Sequence, residues 1–411
     1  MDLFRAAKKF HFAYKRNLAD NDFFSDRLSH RHTTKILIIF VIIATFKRLY
    51  SSPINCWIPA ELRRYEKFMN KYCWVKGTYY VDQHYDLNTF SIEARQESLL
   101  HYYQWIYFFL LIQAFVFYLP RMLWTFISNK ILDYDLFNMV EAAMKNDAVT
   151  SNQERILKYL SSYLMNEHDM TTKKEISDKV RLIVQELDLN SNKKDYNLVI
   201  DSFSPRFIMR KFSKSLLTIS YMAIKIIYLL NAICQIILMN TFLSKNEDKS
   251  YGRQILETFF NGEGDLSSFS DSKIFPRMTV CDIHTRELGS DHLHTVQCVL
   301  SFNLFNERIY AFLWLWIFLV IIPFTSWDLF LWIKRIVIFR ANYRYNFVKT
   351  RVNINGKGLT NRDKILIKLF TEYYIGNDGV FVLRLIEHNS NAIVVSDLIN
   401  MMWNQFKIDH C

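Results

Sequence analysis

Three long apolar runs constrain this chain more than any other feature. Tyr102–Ile127, Leu216–Met239 and Ile309–Ile333 bunch their hydrophobic residues instead of spreading them at the periodicity of a soluble core. As a helix the first would rise roughly 39 Å, enough to cross a hydrocarbon core of about 30 Å with some tilt. A fourth, shorter run, Ile36–Phe46, lies between Lys35 and the Lys47-Arg48 pair. A run of that length also suits a buried helix, and it spans only if the flanking charges snorkel or face water. Water in a pore meets that condition.

The formal charge of +11 and the 16% aromatic content raise the question of nucleic-acid binding. The 51 basic residues surround the apolar runs instead of forming one stripe, and no zinc-finger or RNA-binding signature is present, so the expectation is no nucleic acid. Met1–Lys35 is polar and basic without the apolar core of a cleavable signal, and is expected to persist. Near the span ends, the termini and middle loop carry 17 Lys and Arg against 10 in the other two loops. That bias predicts cytoplasmic termini.

The reading is an all-α membrane protein with four transmembrane helices, outer loops joined by disulfides and a helical cytoplasmic domain. Its expected segments are a cytoplasmic N-terminal segment 1–32, spans at 33–50, 102–127, 215–239 and 308–333, extracellular loops 51–101 and 240–307, a cytoplasmic loop 128–214 and a C-terminal region 334–411. Apolar residues at three- and four-residue spacing predict helices in the middle loop (Ile156 to Leu187) and in the tail (Ile365, Leu366, Leu369). Gly376-Asn377-Asp378-Gly379 predicts a turn, and Ser396 or Asp397 a cap for a last helix ending near Phe406.

Each outer loop holds two cysteines at equal spacing, Cys56 and Cys73 in one, Cys281 and Cys298 in the other. Outside the cell they are expected as disulfides, and four cysteines allow three pairings. Cys234 lies in the third span and Cys411 ends the chain, neither with metal-ligand spacing.

The residues around these cysteines resemble those of a known family. Ile54-Asn55-Cys56-Trp57-Ile58-Pro59-Ala60 and Tyr72-Cys73-Trp74-Val75 are similar to the first outer loop of innexins, the invertebrate gap-junction proteins. Tyr102-Tyr103-Gln104-Trp105 resembles the hallmark that opens their second span. Phe275-Pro276-Arg277-Met278-Thr279-Val280-Cys281-Asp282 and His294-Thr295-Val296-Gln297-Cys298 resemble the second outer loop, and Asp378-Gly379-Val380-Phe381-Val382-Leu383-Arg384 a recurring tail segment. One position departs from the pattern: Tyr107 stands where the family usually has a proline, which would bend the second helix. Pro120 and Pro323 offer other points of bending.

The resemblance implies a plasma-membrane, multi-pass subunit of a gap-junction channel. Its implied partners are identical or related innexin subunits in a ring, a docked ring in the apposed cell, and membrane lipid. It also implies the pairing Cys56–Cys298 and Cys73–Cys281. Family relatives line the pore with the N-terminal segment and first span, which makes Leu3, Phe4, Arg5, Lys8, Lys47 and Arg48 pore-lining candidates. Lys225 within the third span would cost about 2.5–3.5 kcal/mol facing lipid, so it is expected to face protein or a cavity. Asn231 and Gln235 are placed to hydrogen-bond between helices. His284, His292 and His294 read as surface or docking residues. No catalytic motif is present, so no enzyme, cofactor or metal is expected. Two other readings stand beside the junctional one. The first is an unpaired plasma-membrane hemichannel like the related pannexins, against which stands the lack of any Asn-x-Ser/Thr acceptor in either outer loop. The second is a non-conducting four-span adhesion or scaffold protein.

Overall fold

The structure is a computed structural model that describes residues 22–50, 52–81, 95, 99–100, 102–132, 136–145, 215–243, 251–260, 274–287, 289–338, 340–352 and 361–410. The pore-lining candidates Leu3, Phe4, Arg5 and Lys8, and the middle-loop pattern from Ile156 to Leu187, lie outside the described residues. The chain divides into two compact units, one of Leu28–Pro120 and Ile227–Ser326, the other of Met1–Arg27, Arg121–Ile226 and Trp327–Cys411.

The apolar runs form helices α1 (Thr34–Tyr50), α2 (Ile106–Phe126), α3 (Leu216–Leu243), α4 (Ser301–Leu315) and α5 (Ile322–Ile333). A π-type turn, Trp316–Ile321, joins α4 to α5. Pro323 follows it closely, and its ring nitrogen cannot donate to the carbonyl four residues back. A wider turn just before the proline accommodates that lost bond without ending the helix. Among the described residues, three helical segments are long and apolar enough to cross a membrane: Ile106–Ile131, Leu216–Leu243 and Ser301–Ile336. Exposed Phe108, Ile112 and Phe115 on α2 and Leu230 and Ile237 on α3 suit a face turned to lipid or to another subunit. The shorter α1 also exposes Ile38, Ile39, Ile42 and Phe46.

Between the helices of the first unit lies a five-stranded antiparallel sheet, which an all-helical reading leaves out. Its strands are β1 (Asn55–Cys56), β2 (Thr78–Tyr79), β3 (Leu99–Leu100), β4 (Met278–Glu287) and β5 (Ser290–Val299), in the order β1-β5-β4-β2-β3. The β4–β5 hairpin pairs from Met278↔Val299 out to Glu287↔Ser290, and Gly289 turns it at φ +90°. Burial alternates as a half-buried strand requires: Cys281, Ile283, Val296 and Cys298 point inward, while His284 and Gln297 are exposed. The helix Glu66–Lys76 packs on this sheet and ends at Gly77, whose φ of +97° favours glycine. An aromatic cluster of Tyr102, Tyr251, Phe275 and Tyr310 fills the core of the same unit.

In the second unit the tail forms helices Arg340–Lys349, Asn361–Leu369, Gly376–Asn389 and Ala392–His410. Gly376–Gly379 is the first turn of a helix, not a loop; Gly376, at φ +69°, lets the chain break from the π-type segment Phe370–Ile375 and start again. The last helix begins at Ala392, so Ser396 lies inside it, where its hydroxyl donates to the Arg351 carbonyl at 2.9 Å instead of capping an end.

Candidate functional site

Two constellations of cross-linked or charged side chains stand out, one in each unit. In the first, the sheet is cross-linked twice, Cys56 to Cys298 and Cys73 to Cys281. Cys56 and Cys298 are register partners across β1 and β5, while Cys73 reaches β4 from the helix Glu66–Lys76. All four are buried. The group of Cys56, Cys73 and Cys298, close enough together for a metal, is therefore committed to disulfides.

Asp282, next to Cys281, organises the strands around it. Its Oδ1 accepts from the Tyr79 hydroxyl at 3.0 Å and from Thr295 Oγ1 at 2.8 Å, its Oδ2 lies 3.4 Å from Arg95 Nη1, and its carbonyl accepts from Lys76 Nζ at 2.8 Å. Burial, and then the Asp282 carboxylate, push the Tyr79 phenol above its ordinary range, so it remains a donor at physiological pH. Beyond Ile283 the hairpin is largely exposed: His284 lies 3.7 Å from Asp291, and the rings of His292 and His294 stack at 6.4 Å.

At the end of α1, both cations rest on aromatic rings. Lys47 Nζ lies 4.7 Å from the centre of the Phe305 ring. The Arg48 guanidinium lies 4.8 Å from that of Tyr107 and donates to its hydroxyl. Tyr107 thus does something a proline could not, holding the last basic residue of α1 against α2. Asn231 on α3 donates to the Val116 carbonyl of α2 at 3.1 Å, an interhelical bond of the kind that joins helices in lipid. Gln235, one turn on, is 1% exposed, and its amide has no hydrogen-bond partner among the described residues.

The second constellation surrounds Lys225, which is 3% exposed. Its ammonium lies 2.9 Å from Asp26 Oδ1, contacts the Asp328 carboxylate and is 3.2 Å from Ser25 Oγ. The Tyr221 hydroxyl donates to Asp26 as well. Asp22, 1% exposed, pairs with Arg121 at 3.0 Å. Phe23, between these acids, packs on Tyr221, Trp332 and Phe381. The segment Asp22–Arg27 is thereby held to α3 and α5 by both charge and ring packing. None of the acids was singled out in the sequence, because each sits far along the chain from Lys225.

The start of α3 is capped from the tail. Asp378 accepts from the Leu217 and Thr218 amides at 3.2 and 2.9 Å and from the Thr218 hydroxyl at 2.6 Å. Burial raises its pKa above the ordinary carboxylate value, while these bonds act the other way. A raised pKa means the folded state holds its proton longer than the unfolded one, so this residue's contribution to stability grows as pH falls through that range. Asp378→Ala is expected to cost about 1–2 kcal/mol in thermal unfolding, whereas Asp378→Asn, which keeps an acceptor and removes the buried charge, is expected to be near neutral at pH 7 and to flatten that pH dependence.

Comparison with known proteins places this arrangement. The family profile that matches is Innexin, over residues 22–406. Among curated relatives, the chain is 32% identical over 385 residues to Innexin unc-9 of Caenorhabditis elegans, covering 93% of this chain and 91% of the relative. It is also 31% identical over 402 residues to Innexin-11 of the same organism, covering 94% and 79%.

Proposed function

Because the chain belongs to the innexin family, we propose that it is a structural subunit of a gap-junction channel in the plasma membrane, passing ions and small molecules between adjacent cells. In this reading α1 is a fourth span, both termini are cytoplasmic, and the segments carrying the sheet are extracellular. Subunits, identical or related, form a ring, and the sheets of one ring dock on those of a ring in the apposed cell. Lys47 and Arg48 lie at the outer mouth of the pore, and the N-terminal residues Leu3, Phe4, Arg5 and Lys8 line its inner end.

The observation that carries the reading is the double cross-link of two sequence-distant loops into one sheet. A docking surface must keep its shape while meeting another surface across two membranes, and a stapled sheet loses little conformational freedom when it binds. The arrangement of Asp22–Arg27 supports the inner half of the proposal, since it fixes the root of the N-terminal segment to helices of its own subunit.

Expression in paired cells, alone and with candidate partner subunits, tests it by dual electrical recording. The expected result is junctional conductance above background with protein at contact sites. Current across the free membrane with none between cells would replace docking by the unpaired channel, and neither current would favour the adhesion or scaffold reading.

A further inference from the structure

The free end of the β4–β5 hairpin brings two metal-ligating side chains to one side of the ribbon. Residues two apart on a strand point the same way and stand about 6.8 Å apart along it. His292 and His294 are such a pair on β5, the first exposed and the second half-buried. The register sets Thr285 opposite His292 and Ile283 opposite His294, and no Lys or Arg of either strand falls on that face. Arg286 and His284 belong to the opposite face, where His284 Nδ1 lies 3.7 Å from Asp291.

The two rings already lie side by side, their centres 6.4 Å apart and their planes 27° from parallel. Zinc binds an imidazole nitrogen at about 2.0–2.1 Å, which puts each ring centre roughly 3.2 Å from the ion and, at a tetrahedral angle, two centres about 5 Å apart. The observed pair is wider by roughly 1 Å, a gap that small rotations about the side-chain bonds close. The pair is open to solvent, so an ion reaches it without a cavity. Ser290 Oγ lies 2.9 Å from His292 Nε2. A hydroxyl on one ring nitrogen fixes the imidazole and leaves Nδ1 for a metal, as the outer partners of ligating histidines do. Among the described residues it is the one side chain that hydrogen-bonds to either ring, so no ion pair has to break for a cation to bind.

We propose that His292 and His294 chelate zinc through one imidazole nitrogen each, with water in the remaining positions. Imidazole ligands suit zinc and copper, whereas calcium and magnesium demand oxygen, so the pair discriminates against the abundant hard cations. Four-coordinate zinc held by two protein ligands keeps two positions open to a ligand from outside the chain. The site needs only the folded hairpin and stands whether or not two rings dock.

The test is a calorimetric titration of the full chain in phosphatidylcholine nanodiscs, near neutral pH, with zinc and in a parallel arm with calcium. The wild type is expected to show a zinc site and no response to calcium. Losing even an outer partner of a ligating histidine typically costs about 10–100-fold in affinity, so H292Q and H294Q are each expected to weaken that site at least about tenfold. Ser290→Ala is expected to weaken it less, and H284Q, on the opposite face, to leave it unchanged. Both histidines lie away from the disulfides, and metal-free thermal unfolding of the variants is expected to match the wild type. Should H294Q lose its oligomeric profile, H292Q decides. No zinc binding by the wild type, equal affinity in wild type and H292Q, or a loss of the same size in H284Q overturns the proposal.

Discussion

Paired cells expressing Cys73→Ala or Cys298→Ala are expected to show junctional conductance reduced to background, the largest functional loss foreseen for any single substitution here. The bonds close loops of 242 and 208 residues between segments that otherwise meet through short strand pairings and side-chain hydrogen bonds. β1 is only two residues long, and two residues of backbone pairing cannot by themselves hold a strand. Cys73 anchors the whole helix Glu66–Lys76 to β4. Losing either bond is expected to cost about 2–5 kcal/mol, comparable with much of the stability of a small domain. Surface biotinylation separates failure to reach the membrane from failure to couple. Because a single substitution leaves its partner thiol free, the double variants Cys56→Ala with Cys298→Ala and Cys73→Ala with Cys281→Ala are the cleaner comparison, and the same loss is expected. Coupling near the wild-type level in those variants would mean that the sheet does not need its cross-links to dock.

The second large effect concerns Lys225. Lys225→Met removes the cation between Asp26 and Asp328 and leaves two carboxylates together, one of them 1% exposed. An uncompensated buried charge costs about 3–5 kcal/mol, so the variant is expected to fall sharply in expression and in thermal stability in detergent. The pair itself is a different matter, because desolvating the partners offsets most of their attraction. The triple variant K225M/D26N/D328N should therefore recover most of the lost stability. If the triple variant is as unstable as the single one, the cluster contributes through packing and not through charge balance.

How much of this was legible in the sequence depended on the distance over which each signal acts. The apolar runs declare their helices locally. Lys225 declared that it needed partners, but Asp26 and Asp328 lie 199 and 103 residues away, and no pattern in the run points to them. The hairpin strands alternate inward and outward residues, yet β1, β2 and β3 are two residues each, too short for any period to register, so the sheet was absent from an all-helical reading. The cysteine spacing left three pairings open; register between β1 and β5 is what sets Cys56 opposite Cys298. Tyr107 was visible as a departure from the family pattern, but its contact with Arg48 depends on how two helices pack. Asp282 and Asp378 stand in segments that resemble the family, but their roles gave no sequence signal, because a single polar residue acquires its partners only from neighbours that folding supplies.

The β4–β5 hairpin has a mechanical consequence. Among the described residues, pairing of β1 and β2 to the hairpin involves Asn55, Cys56 and Tyr79, near the cross-linked end of β4 and β5. From Asp282 outward the pair continues, among the described residues, as a two-stranded ribbon, and such a ribbon bends and twists far more easily than a sheet. The element is thus a cantilever, clamped at its base by two covalent rivets and compliant at its free end. Such a part can absorb small misalignments between two opposing rims while passing little of that strain to the helices beneath.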